Sequence, residues 1–158
     1  MIEIVYFSGT GSTQAAAEQL SAILDERSIA NNLTHLNTKK PKNIADCETL
    51  VLLHPVYCMT APKPISEFVD SLSNTAGITA AVISVSAGGE AIPNTACRMP
   101  IIDKLSQKGY NVIYEDMLVM PANCLKPTDE KVAAGLVKIL PKKLRRIADN
   151  IVNKTVHR

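Results

Sequence analysis

The first seven residues, Met1-Ile2-Glu3-Ile4-Val5-Tyr6-Phe7, are apolar at every position except Glu3. A strand with one wet face alternates polar and apolar side chains, so a run with so little alternation belongs to a strand covered on both faces. A sheet of such strands needs a layer of helices on each side, and the rest of the chain supplies them. Ala16, Leu20, Ile23 and Leu24 recur at helical spacing directly after the first strand and its glycine-containing turn. Asn32 to Asn37 reads as a diluted, edge-type strand, and Lys39 to Asn43 as a solvated connection. Thr49 to Leu53 is a second central strand that His54-Pro55 is expected to stop.

Pro64 suits the first turn of a helix, where a missing N–H costs nothing, and Ile65, Phe68, Val69 and Leu72 continue it. Thr79 to Val85 is again strand-like. Met99, Ile102 and Leu105 mark a helix that Gly109 ends, and Asn111 to Met117 is the last strand, with a possible extension to Met120. From Thr128 the apolar residues Val132, Leu136, Leu140, Leu144, Ile147 and Ile151 keep helical period. Pro141 either kinks that helix or divides it. Five strands with intervening helices predict one doubly wound α/β domain over residues 1–158.

Composition narrows the function classes. Hydrophobic residues are 46% and charged residues 20% of the 158, the balance of a globular protein rather than a disordered one. The formal charge of +2 gives no reason to expect a nucleic-acid partner. No apolar run approaches a membrane span, and the first residues carry no basic leader, so a cytoplasmic location is expected. Cys47, Cys58, Cys97 and Cys124 form no C-x-x-C pair, which argues against an iron–sulfur cluster or a zinc site.

In a doubly wound sheet, ligands collect at the carboxyl ends of the strands where strand order reverses. The loop that leaves the first strand, Ser8-Gly9-Thr10-Gly11-Ser12-Thr13, has glycines for a tight turn and hydroxyls and N–H groups that can cradle a phosphate. A nucleotide P-loop requires a lysine at its end, and none occurs before Lys39. A dinucleotide loop has the spacing G-x-G-x-x-G, which Thr13-Gln14 does not provide, and the second strand lacks a terminal acid.

The segment Tyr6 to Thr13 resembles the phosphate loop of the flavodoxin family. The likeness extends through Pro55-Val56-Tyr57, Ser86-Ala87-Gly88-Gly89 and Met120-Pro121-Ala122-Asn123, and is nearest to the flavodoxin-like half of proteins that fuse this domain to a ferredoxin-type cluster domain. The resemblance implies a three-layer α/β/α fold, a five-stranded parallel sheet of order 2-1-3-4-5, and FMN as cofactor. It places Ser8, Gly9, Thr10, Gly11, Ser12 and Thr13 at the phosphate. Pro55, Val56, Tyr57, Cys58 and Met59 fall beside the flavin ring, and Ser86, Ala87, Gly88 and Gly89 at its pyrimidine edge. The implied activity is electron transfer with a redox protein such as a ferredoxin or a reductase. Direct reduction of a quinone or other small acceptor is an alternative, and a non-redox anion-binding or interaction module a second.

Cys58-Met59-Thr60 stands where relatives often carry small or glycine-rich residues, and without the cysteine-rich half of the fused relatives in these 158 residues any cluster is expected on another protein. Cys58 lacks the arginine that a phosphatase-type loop needs. His54 has no partner that would orient it as a base and reads as structural. Asn123 and Cys124 are candidates for the rim, and Glu90, beside the Gly88-Gly89 turn, reads as a solvated loop acid that could affect access to it. Between Lys138 and Arg158 lie seven basic residues and one acid, Asp149, which read as a solvated helix face, with an acidic partner as the minority reading.

Overall fold

The computed structural model describes residues 1–37, 44–122 and 127–157, and the connection read at Lys39 to Asn43 lies outside them. The elements are β1 (Ile2–Tyr6), α1 (Ser12–Glu26), β2 (Asn31–His35), β3 (Thr49–Pro55), α2 (Lys63–Ser71), β4 (Thr79–Ser86), α3 (Met99–Gln107), β5 (Asn111–Val119) and α4 (Glu130–Val152). All pairings are parallel, in the order β2-β1-β3-β4-β5. The chain steps from β1 to one side and then crosses to β3 on the other. A constant crossover hand therefore sends α1 to one face of the sheet and α2 and α3 to the other.

Each face has its own core. Ile4, Tyr6, Val51, Leu53, Ala81 and Ile83 meet α1 and α4, while Val5, Leu50, Leu52, Ala80 and Val82 meet α2 and α3. The alternation along each strand distributes these residues, and each large side chain removed from water contributes about 1.5–3 kcal/mol. Between Ala80 and Ala81 the register of β4 against β5 shifts, so Ala80 pairs with Val112 and Ala81 with Tyr114.

Three expectations change. His54-Pro55 does not stop β3: His54 pairs with Ser84 and Pro55 with Val85. Proline is tolerated because β3 is at its last residue there, where a missing N–H breaks no continuing ladder. Met99 is exposed, and the buried face of α3 is Ile101, Ile102 and Leu105. Val132 is 55% exposed, because α4 has 23 residues against 15 in α1 and its buried contacts begin only at Leu140. Pro141 lies inside α4 without dividing it.

Three of the six basic residues of α4 form ion pairs among the described residues. Lys143 meets Glu90 at 3.1 Å, Arg145 meets Glu26 at 3.1 Å and Arg146 meets Asp116 at 2.8 Å. After α4 the tail returns to β5: Glu115 N–H donates to His157 O and His157 N–H to Ile113 O, each at 2.8 Å. Further along β5, Met117 N–H donates to the Asp116 carboxylate at 2.8 Å. The Tyr114 hydroxyl also donates to that carboxylate. Burial and then this neighbour push the phenol up to about 12.

Candidate functional site

The turn after β1 is shaped by Gly11, which has φ 98° and caps α1. Its N–H donates to Ser8 Oγ at 3.1 Å, and its carbonyl accepts from Ala15 N–H at 2.9 Å, the first turn of the helix. The N–H groups at the start of a helix have no intrahelical acceptor. No side chain caps α1, and its first turn carries no acid. Ser12, Thr13 and Gln14 therefore aim a positive dipole end with donors at the carboxyl edge of the sheet.

After β3, Val56 N–H donates to Val85 O at 3.0 Å. The chain then doubles back: Tyr57 N–H donates to Thr60 O at 2.9 Å and Thr60 N–H to Tyr57 O at 3.0 Å. Thr60 Oγ1 adds a bond to Tyr57 O at 3.0 Å. A two-residue reversal of this kind needs positive φ at both central positions, usually met by Asn-Gly. Here Cys58 has φ 47° and Met59 φ 64°, the backbone shape that the missing glycines would have supplied. The Tyr57 ring meets Phe7 edge-on at 6.3 Å and 87°, and its hydroxyl lies where a Cβ on Gly9 would stand. Tyr57 thus covers the first loop rather than α2, while keeping 43% exposure; Met59 is 59% exposed.

The turn after β4 is tied by one hydroxyl. Ser86 Oγ accepts from Gly88 N–H at 3.0 Å and from Asn94 Nδ2 at 2.8 Å, and Asn94 also donates to Gly89 O at 2.7 Å. From the end of β5, Met120 N–H reaches Ser86 O at 3.0 Å, and Ala122 N–H donates to Thr128 Oγ1 at 2.7 Å.

These loops border a cavity of about 140 Å³ across the carboxyl ends of β1, β3, β4 and β5, a row that includes the β1/β3 pair where strand order reverses. It gathers Ser8, Gly9, Thr10, Ser12 and Thr13 with Pro55, Val56, Tyr57, Ser86 and Ala87, and among the described residues none that lines it is charged. Gly11, Cys58, Met59, Gly88 and Gly89 do not line it: Gly11 sets the turn, Cys58-Met59 reverse the chain, and the two glycines form the turn that Asn94 ties down. Val85 joins the lining without having been expected there; it sits at the carboxyl end of β4, paired with Pro55. Met120, Pro121 and Ala122 complete the wall. Asn123 and Cys124 lie outside the described residues, and Glu90 is engaged by Lys143. Asn94 had no sequence signal, since an asparagine in a loop has many uses.

Behind the cavity, on the α2/α3 side, lies a buried polar cluster. Arg98 is 6% exposed. It pairs with Glu115 at 2.7 Å and donates to Ser84 Oγ at 2.8 Å. His54 is fully buried, its Nδ1 lies 3.0 Å from Pro55 O, and Nε2 meets no hydrogen-bond partner among the described residues. Burial, with a smaller push from Arg98, lowers its pKa to about 4. Burial also raises the Cys97 thiol. Among the described residues no His, Cys, Asp and Glu group could hold a metal, and no helix is long and apolar enough to cross a membrane.

No protein-family model and no curated protein sequence matches the chain. Solved structures do. A flavodoxin of Streptococcus pneumonia TIGR4 superposes with a TM-score of 0.71 at 15% identity, covering 98% of this chain and 99% of that one. The fold is flavodoxin-like. A Fusobacterium nucleatum flavodoxin bound to flavin mononucleotide gives 0.69 at 16% identity, with 98% of each chain covered. Oxidised flavodoxin 1 of Bacillus cereus gives 0.68 at 16%, covering 96% of this chain and 97% of that one. The likeness thus spans the flavodoxin-like chain from end to end, at identities that speak for the fold.

Proposed function

We propose that residues 1–158 act as one FMN-binding redox domain that exchanges electrons with a protein partner. The observation that carries this reading is the cavity at the carboxyl ends of the strands, with no charge among its described lining residues, floored by the uncapped start of α1 and roofed by Tyr57. A phosphate supplies the acceptor that Ser12, Thr13 and Gln14 lack, and Gly9 leaves room for Tyr57 to close over the loop. The flavodoxin neighbour carrying flavin mononucleotide favours FMN over another phosphate ligand. The enclosed volume of about 140 Å³ is below the roughly 300–1,000 Å³ of complete small-molecule sites. It suits the phosphate end, with the rest of the ligand against the open rim.

Bound FMN supplies the redox chemistry; the protein's part is to anchor and to shape. Ser8, Gly9, Thr10, Ser12 and Thr13 hold the phosphate, and Gly11 shapes the turn that presents them. Pro55, Val56 and Tyr57, with the Cys58-Met59 turn, flank the ring, and Ser86, Ala87, Gly88 and Gly89 border its pyrimidine edge. No nucleophile or general base is required. The half-exposed Tyr57 and Met59 mark the rim at which a ferredoxin or reductase would meet the ring.

The test is reconstitution with FMN, removal of free ligand, and an absorption spectrum. Stoichiometric flavin bands released as FMN on denaturation are expected, and folded protein that retains none overturns the reading. Rapid turnover of NADH with a quinone, with no redox protein added, would replace the carrier by a reductase.

A further inference from the structure

We propose that His54 is a positioning residue: its imidazole holds the Pro55 carbonyl and thereby sets the peptide that launches Val56 and Tyr57 over the candidate cleft. This rests on the reading of the cleft as an FMN site and adds a residue that does not line it.

The ladder between β1 and β3 ends with the pair Tyr6 and Leu53, and Phe7 N–H then donates to Leu53 O at 3.2 Å. Past that point β1 turns away into the Ser8–Thr13 loop while β3 continues for two residues. Along a parallel strand, carbonyls point alternately to the two neighbours. Leu53 O faces β1, so Pro55 O faces the same side, where the strand has given way to the loop that would receive an anion. A bare carbonyl there would repel an anion and compete for the loop's N–H groups. Instead Pro55 O is 3.0 Å from His54 Nδ1.

A carbonyl can only accept, so Nδ1 carries the hydrogen and Nε2 presents a lone pair. That lone pair is buried with no donor among the described residues. Ser84, across from His54 in the register, already receives Arg98 Nη1. Leaving a buried acceptor without a donor destabilises the fold, a penalty that an apolar side chain of similar size would avoid. His54 is therefore a poor choice for stability, and the bond to Pro55 is what it secures. The chain just beyond is fixed independently, since Val56 N–H is tied to Val85 O.

His54→Leu removes both ring nitrogens, His54→Asn keeps a donor near the Nδ1 position, and His54→Gln moves the donor outward. FMN dissociation constants, thermal melts and amide NMR spectra of the ligand-free proteins are compared. Leu and Gln are expected to weaken FMN about tenfold, one lost hydrogen bond's worth, with Asn within about threefold of wild type. The melting temperature of the Leu variant is unchanged or higher, and the Val56 and Tyr57 amide resonances shift in Leu and Gln but not in Asn. Wild-type affinity in the Leu variant, or equal weakening in Asn and Gln with unmoved amides, overturns the assignment. Should the Leu variant fail to fold, the Asn and Gln pair decides. Should the wild type take up no FMN, the function fails separately, and the ligand-free amide shifts alone judge His54.

Discussion

The two ends of the sheet are closed by different chemistry. At the amino ends of the strands, backbone meets backbone. Glu48 N–H donates to Met1 O at 3.0 Å, Thr79 N–H to Glu48 O at 3.0 Å, Thr75 N–H to Lys108 O at 2.8 Å and Asn111 N–H to Ile78 O at 2.9 Å. The Met1 ammonium adds an ion pair with Glu48 at 3.0 Å and lowers that carboxyl's pKa. At the carboxyl ends, short side chains do much of the tying: Ser8, Thr60, Ser86, Asn94 and Thr128. A turn sealed by main-chain bonds consumes donors and acceptors in equal number. At the carboxyl ends Ser8, Ser86 and Thr128 accept from single main-chain N–H groups while Thr60 and Asn94 donate to carbonyls, so the donors left for an anionic ligand are those at the uncapped start of α1.

The contrast can be broken most strongly at its sealed end. A Cβ on Gly109 runs into the Thr75 carbonyl, and its φ of 86° is already costly for other residues. Gly109→Ala is expected to lose at least about 3 kcal/mol of stability in denaturant melts, while FMN affinity stays at the wild-type value. A weakened FMN site in that variant would show that the two ends are not independent.

Acid sharpens the contrast from the other end. His54 titrates at 6.5 when unfolded and about 4 when folded. Above 6.5 both states are neutral and the ring adds no pH dependence. As pH falls from 6.5 to 4 the unfolded chain takes the proton first, so stability declines, by up to about 3 kcal/mol, and levels off below 4. Subtracting the pH profile of His54→Leu isolates this slope; identical profiles would remove it.

A charge at the start of α1 separates folding from binding by sign. Ser12→Asp complements the helix dipole and is expected to add about 0.5 kcal/mol. It also places a carboxylate at the phosphate site, and FMN affinity should fall about thirtyfold or more, near 2 kcal/mol. Thermal melts and fluorescence titration read the two signs, and a parallel change in both would refute the assignment of the loop. The smallest effect belongs to the Tyr57–Thr60 reversal. Met59→Gly relieves a left-handed residue worth about 1–2 kcal/mol and gives part of it back in unfolded-state entropy. A net gain of about 0.5–1 kcal/mol in chemical melts is expected, and a loss would mean that the side chain's contacts outweigh its backbone.

The strands and helices were legible because burial on two faces and helical period leave marks in residue order. The Ser8–Thr13 loop was legible for a similar reason, since glycines and hydroxyls in one short stretch have few other uses. The reversal at Cys58-Met59 was not. Nothing in a cysteine or methionine announces positive φ; the conformation follows from the paired bonds between Tyr57 and Thr60. Nor could the sequence pair Arg98 with Glu115, or Lys143 with Glu90, because those partners meet only after the sheet has assembled. Pro55 misled for the opposite reason: its usual meaning as a strand breaker assumes a neighbour that wants its N–H, and β1 has already ended there.

The return of the tail to β5 gives the sheet a margin as well as a last strand. His157 sits astride Ile113 and Glu115, and the Asp116 carboxylate occupies the next outward N–H, that of Met117. A foreign strand approaching this flank would find its docking points already taken. The molecule thereby signs off its own pattern of repetition, and a sheet that could in principle be copied sideways from chain to chain has a built-in last line on this side.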